Sequence, residues 1–173
     1  MNPRPWIVSA LLFVGLVTIS NLNIARAQQN DEPVVHPRAT MKFAPVPNLP
    51  ACATAAVESG DPTKGAATLL LNIAPGCDVP WHWHTAAETI LMTSGSLRLE
   101  MKGGDKPAML RAGDYAAMPS HHVHQARCLS AAPCMLFIHS SAAFDIHYVN
   151  AAGDEIPMSE AIKPAARKPA ANK

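Results

Sequence analysis

Five of the eight histidines fall in two tight groups whose spacing suits metal chemistry. His82 and His84 are two residues apart, so in a β-strand both imidazoles point to one face, about 6–7 Å from each other. Trp81 and Trp83 would then face the other way and serve as packing residues. The second group consists of His121, His122 and His124.

A carboxylate lies close to the first group. The short, small-residue connection at 85–87 can reverse the chain and bring Glu88 onto the same inner face as His82 and His84. With His124 from a later strand, the set becomes three neutral imidazoles and one carboxylate. That set suits one divalent transition ion (Mn, Fe, Ni, Cu or Zn) and leaves up to two positions open if coordination is octahedral. Open positions distinguish reactive sites from sealed structural ones.

The elements that must position these residues are short β-strands. Leu97, Leu99 and Met101 alternate with Arg98 and Glu100, which indicates a strand with one buried and one solvated face. Explicit Gly, Pro and Asp turns separate about ten such runs, which is typical of a sandwich or closed barrel. The predicted strands are Cys52–Glu58, Ala67–Ile73, Val79–His84, Glu88–Thr93, Ser96–Met101, Ala108–Arg111, Asp114–Met118, His122–Cys128, Cys134–Ser140 and Phe144–Val149.

The two histidine groups lie within motifs that resemble those of the cupin superfamily, of the single-domain bacterial, conserved-barrel type. The first is complete: Gly76, five residues, His82-Trp83-His84, three residues, Glu88, six residues and Gly95. The second runs from Gly113 through Pro119, His121 and His124 to Cys128. The resemblance covers roughly residues 66–140. It implies an all-β jelly-roll barrel, or double-stranded β-helix, with a metal at His82, His84, Glu88 and His124.

The second motif departs from the family pattern at two positions. His121 stands where the family usually has Gly, so this histidine either relaxes the turn or supplies a side chain at the pocket mouth. Cys128 stands where the family usually has Asn. His122 points outward only if its strand is regular. A cavity beside the ion is expected to be mostly apolar, and its candidate lining residues are Ile90, Met92, Met118, Met135, Phe137 and His139.

The four cysteines favour disulfides, because none are spaced Cys-x-x-Cys and the chain has the features of an exported protein. Cys128 and Cys134 flank the short loop at 129–133. A loop of this length lets the two ends of a hairpin face each other. Cys52 and Cys77 would be the remaining pair, although the direction of the Pro-Gly turn before Cys77 leaves this bridge open.

The first segment resembles a secretory signal peptide. An apolar run from Trp6 to Ser20 follows Arg4, and Ala25-Arg26-Ala27 has the small residues that a signal peptidase accepts. We therefore predict a periplasmic or secreted protein without stable membrane insertion. An uncleaved anchor is the alternative, although the run is short for a bilayer span. The predicted organisation is a signal peptide at 1–27, a proline-rich arm at 28–50, the barrel domain at 51–156 and a disordered basic tail at 157–173.

The net charge and the family resemblance narrow the range of possible functions. Cleavage would leave twelve basic and thirteen acidic residues, a formal net charge of −1, which does not favour nucleic acid as a partner. The resemblance implies a metal-dependent enzyme, foremost an oxygenase acting on a small aromatic or polyphenol-like compound, with Glu88 as the base. The alternatives are a non-catalytic periplasmic ligand- or metal-binding module and a non-oxidative lyase or isomerase. A homodimer through an outer strand is a further expectation.

Overall fold

The computed structural model describes residues 33–162. The predicted signal peptide at 1–27 and most of the predicted basic tail lie outside the described residues. At the start of that tail, the structure has a single helical turn, α1 (Met158–Ala161). Across residues 33–162, no helix has the length and apolar character needed to span a bilayer. The compact unit begins at His36.

The strands form two antiparallel sheets, as the alternating pattern predicts. In spatial order, the six-stranded sheet contains β1 (Ala44–Pro45), β2 (Ala53–Gly60), β3 (Ala67–Ile73), β10 (Cys134–Ser140), β5 (Glu88–Ser94) and β8 (Tyr115–Met118). The five-stranded sheet contains β11 (His147–Tyr148), β4 (Asp78–Trp83), β9 (His124–Cys128), β6 (Ser96–Met101) and β7 (Ala108–Arg111). Consecutive strands fall in different sheets at several points, which confirms the jelly-roll barrel.

The core lies between the two sheets. In β6, Leu97 and Leu99 are 0% and 1% exposed, whereas Arg98 and Glu100 lie on the outer face and form an ion pair of 3.0 Å. This alternation is the one expected of a strand with one face against the core. The inward face of each strand therefore also decides which side chains can reach a site inside the barrel.

The segment predicted as a proline-rich arm takes part in the barrel. Its strand β1 pairs with β2, so that Ala44 lies opposite Ala55. Leu49 is buried in the core, and the Tyr148 hydroxyl donates a hydrogen bond of 2.7 Å to the Asn48 carbonyl. The sheet thus extends into the segment that precedes the expected domain start at residue 51.

Two disulfides join the sheets. Cys128, at the end of β9, is bonded to Cys134, at the start of β10, as the sequence predicts. Cys52 and Cys77, which directly precede β2 and β4, form the second bridge that the sequence left open. Each bridge connects a strand end of the six-stranded sheet to a strand end of the five-stranded sheet. The structure leaves no cysteine free among residues 33–162.

Candidate metal centre

Two adjacent strands bring His82 and His124 together. His82 in β4 lies opposite His124 in β9, with ring centroids 4.2 Å apart. The β4–β9 register shifts between Val79 and His82, where Pro80 cannot donate a ladder hydrogen bond. His84, one residue beyond β4, completes the group, and one ring nitrogen from each histidine lies within 4.8 Å of the other two.

Backbone carbonyls fix the tautomer of all three imidazoles. His82 Nδ1 lies 2.6 Å from the Pro80 carbonyl, and His124 Nδ1 lies 2.8 Å from the His122 carbonyl. His84 Nδ1 contacts the Asp145 carbonyl. A carbonyl only accepts hydrogen bonds, so each Nδ1 must carry a proton, and in the neutral imidazole the Nε2 lone pair is then free. Metal-ligating histidines commonly donate the N–H of the ring nitrogen that does not bind the metal to such a carbonyl.

Glu88, the first residue of β5, adds a carboxylate to the group. Its Oε2 lies 3.5 Å from His124 Nε2 and 3.8 Å from His84 Nε2. The carboxylate is therefore on the same side as the free lone pairs, on the inner face that the sequence predicted.

The four side chains are deeply buried. Their exposed fractions are 4% for His82, 6% for His84, 6% for Glu88 and 2% for His124. Burial lowers the pKa of His82 well below its usual value, and the neighbouring His124 and His84 act in the same direction. A neutral imidazole is the form that binds a metal. The three histidines could therefore hold one divalent ion, because their donor atoms are oriented and close together.

A narrow apolar cavity of about 40 Å³ opens beside these four residues. The thirteen other lining residues are all aliphatic except for Phe144, whose ring lies 5.1 Å from that of His84. Val46 and Leu49 reach the cavity from the segment before β2. The site is thus polar at the histidines and apolar elsewhere.

Several predicted lining residues lie elsewhere. Ile90 lines the cavity, but Phe137 and His139 do not, because the inward positions of β10 are Leu136 and Ile138. His139 is exposed on the outer face, where its Nδ1 lies 3.2 Å from the Thr68 hydroxyl. Met92 and Met118 are buried in the core without lining the cavity, and Met135 is buried on the outer side of β10, where Arg38 contacts its sulfur.

His121 is a turn residue and does not line the cavity. Its φ is 60°, the left-handed conformation that glycine accepts more easily. Its backbone N–H donates a hydrogen bond of 2.8 Å to the His84 carbonyl, and its ring stacks on Trp83 at 4.5 Å. The other stacking partner of Trp83 is His147, with ring centroids 3.9 Å apart. Trp83 is therefore a packing residue on the outer face, as the alternation predicted.

Comparison with known proteins agrees with this geometry. The family model described as the Cupin domain matches residues 69–140, a span that holds all four candidate ligands. The barrel has the cupin fold and is similar to this family over the matched residues. No curated protein matches the chain by sequence.

Solved structures share the cupin fold at low identity. The polyketide cyclase RemF from Streptomyces resistomycificus has a TM-score of 0.58 at 16% identity, over 69% of this chain and 86% of its own. An RmlC-like cupin from Ralstonia eutropha has a TM-score of 0.55 at 18% identity, over 70% and 74%. The DMSP lyase DddQ from Ruegeria pomeroyi has a TM-score of 0.51 at 22% identity, over 60% and 57%. These likenesses establish the fold alone.

Among the contributors to the candidate site that sequence reasoning missed are Phe144, the Asp145 carbonyl and Leu49. Phe144 and the Asp145 carbonyl lie just before β11, in a stretch predicted to be strand. The course of the chain at these two residues depends on a loop whose conformation no local pattern specifies. Leu49 belongs to a proline-rich stretch with little alternation, so only the folded structure reveals that it is buried.

Proposed function

We propose that this cupin is an exported, metal-dependent enzyme of the oxygenase type. His82, His84, His124 and Glu88 would hold one divalent ion of Mn, Fe, Ni, Cu or Zn. The observation that carries the proposal is the orientation of the three imidazoles, since every Nδ1 faces a backbone carbonyl and every Nε2 is free.

Each side chain has a definite task in this proposal. The carbonyls of Pro80, His122 and Asp145 hold the imidazoles at the required angle, so little reorganisation accompanies ion binding. When bound, the ion supplies a Lewis acid and, for redox-active metals, a site for dioxygen. Glu88 would offset part of the positive charge and, once loosened from the ion, could accept a proton from a molecule bound beside it. The apolar lining limits the access of water to that molecule.

Metal analysis tests the site directly. The purified protein should contain about one equivalent of a transition ion, and the His82→Ala variant should lose it. His139→Ala is the matched control, because that histidine is exposed on the outer face and should leave the metal content unchanged. Equal metal content in both variants would contradict the assignment.

Oxygen dependence tests the reaction class. The metal-loaded protein should consume dioxygen with a suitable small organic substrate, and the Glu88→Gln variant should be slower. Turnover that is unchanged under anaerobic conditions would instead indicate a lyase or isomerase. A ligand that binds without any turnover would indicate a binding or sensing module.

Export is the remaining element of the proposal. The two disulfides support an oxidising compartment, since structural disulfides persist there and are rare in the cytosol. N-terminal sequencing of the mature protein from a periplasmic fraction should begin at Gln28. A mature protein that retains residues 1–27 would exclude cleavage at this position.

A further inference from the structure

His84 is held differently from the other two proposed histidine ligands. The Nδ1 atoms of His82 and His124 meet carbonyls two residues earlier in the chain, so the local backbone orients these rings. The Nδ1 of His84 instead meets the Asp145 carbonyl, which is 61 residues away in the sequence. That carbonyl belongs to the irregular segment at 141–146, between β10 and β11. The orientation of His84 therefore depends on what holds this segment in place.

Resting on the proposed function, we propose that the Asp145 carboxylate is a positioning residue for the metal site. Its Oδ1 accepts a hydrogen bond of 2.8 Å from the backbone N–H of Thr85, the residue that follows His84. Asp145 thus contacts two consecutive residues, with its carbonyl at the His84 ring and its carboxylate at the Thr85 backbone. Together these two contacts restrict how the carbonyl can move relative to the ring.

The other carboxylate oxygen ties the segment to β11. Asp145 Oδ2 lies 3.3 Å from Nε2 of His147, whose ring stacks on that of Trp83 with centroids 3.9 Å apart. His147 also lies opposite Trp83 in the pairing of β11 with β4. The carboxylate therefore connects the segment to the chain on both sides of His84, to Thr85 directly and to Trp83 through His147.

The segment has a second anchor that does not involve the carboxylate. The Phe144 backbone N–H donates a hydrogen bond of 2.8 Å to the Pro62 carbonyl, in the connection between β2 and β3. The Phe144 ring lines the cavity and lies 5.1 Å from the ring of His84. Because this anchor remains, removal of the Asp145 carboxylate should loosen the contact with His84 without unfolding the segment.

Nitrogen-15 NMR of the histidine side chains in the metal-free protein tests the proposal without any ion. At mildly alkaline pH imidazoles are neutral, and the spectra distinguish rings protonated at Nδ1 from rings protonated at Nε2. In the unaltered protein, His82, His84 and His124 should each carry the proton at Nδ1. In Asp145→Ala, His84 should populate the Nε2–H form as well, while the other two rings stay unchanged.

The affinity for Co(II) gives the second readout. Asp145→Ala should bind Co(II) about tenfold more weakly, since loss of a group that orients a metal ligand has effects of this size. Asp145→Asn should stay within about threefold of the unaltered protein, because its amide oxygen can still accept the Thr85 N–H. Asp78→Ala is the matched control: that carboxylate lies on β4 but pairs with Arg127, so both readouts should stay unchanged.

The outcomes separate positioning from a contribution to the fold alone. If His84 keeps the Nδ1–H form in Asp145→Ala, the proposal is overturned, even when that variant is less stable to urea. Should Asp145→Ala not fold, Asp145→Glu moves the carboxylate by one methylene group at constant charge and should shift His84 in the same direction. If the unaltered protein binds no Co(II), the proposed metal site fails, and the NMR comparison still decides whether Asp145 positions His84.

Discussion

His82 and His124 are direct partners across the antiparallel β4–β9 pair, and their ring centroids lie 4.2 Å apart. Side chains directly opposite each other in such a pair have Cβ atoms about 4.5–5.5 Å apart. Two of the proposed ligands are therefore positioned by the sheet itself. A bound ion should tie the two strands together and stabilise the barrel.

Metal loading should raise the melting temperature. An ion at about 100 times its Kd stabilises the fold by about 2.7 kcal/mol, which corresponds to a rise in Tm of roughly 5–10 °C for a domain of this size. Differential scanning calorimetry with and without Co(II) measures the shift. His124→Ala should abolish it and His139→Ala should retain it. A shift that persists in His124→Ala would place the ion elsewhere.

The turn at His121 should favour glycine over alanine. Because φ is 60° there, a Cβ atom is strained and a glycine is not. Both His121→Gly and His121→Ala remove the stacking on Trp83, so their difference isolates the backbone effect. We expect His121→Gly to be the more stable variant by about 1 kcal/mol in urea unfolding. Equal stability of the two would mean that the turn relaxes once the imidazole is removed.

The two disulfides should differ in their rates of reduction. Cys52 is exposed, whereas Cys128 and Cys134 are both fully buried. An attacking thiolate needs access to a sulfur, so mild dithiothreitol should open the Cys52–Cys77 bridge first. Alkylation followed by mass spectrometry should label this pair before the other. This bridge closes a loop of 25 residues, so opening it should lower the free energy of unfolding by about 3.5 kcal/mol. Prior labelling of Cys128 would contradict the order.

Tyr148 should make stability depend on alkaline pH. Burial raises the pKa of its hydroxyl from 10.0 to about 12. The neutral form is thus favoured in the folded state, and this contribution to stability is complete below pH 10 and lost as pH rises towards 12. Urea unfolding at pH 9 and pH 11 should show a smaller loss of stability for Tyr148→Phe than for the unaltered protein. An equal loss in both proteins would assign the alkaline effect to other groups.

The proposed ligands and most strands could be predicted because their signals are local. The period-two spacing of His82 and His84 sets both on one face, and the Gly, Pro and Asp turns mark where strands end. Cys128 and Cys134 flank one short loop, so their pairing is local as well, unlike that of Cys52 and Cys77. These features do not depend on knowing which distant surfaces pack against each other.

The cavity was harder to predict because β10 is apolar at both inward and outward positions. Met135, Leu136, Phe137 and Ile138 form a continuous apolar run, which does not reveal which residues face inward. The pairing with β3 and β5 places Leu136 and Ile138 inside. The burial of Leu49 likewise depends on tertiary contacts, which no local sequence pattern indicates.

The stacking of Trp83 between His121 and His147 gives this protein an optical reporter. Trp83 lies between two proposed ligands in the sequence, and its ring stacks with the imidazoles of His121 and His147. A protonated imidazole quenches indole fluorescence, and a nearby paramagnetic ion does so as well. Intrinsic emission should therefore follow loading with a paramagnetic ion without an added dye, against the background of Trp81 alone among residues 33–162.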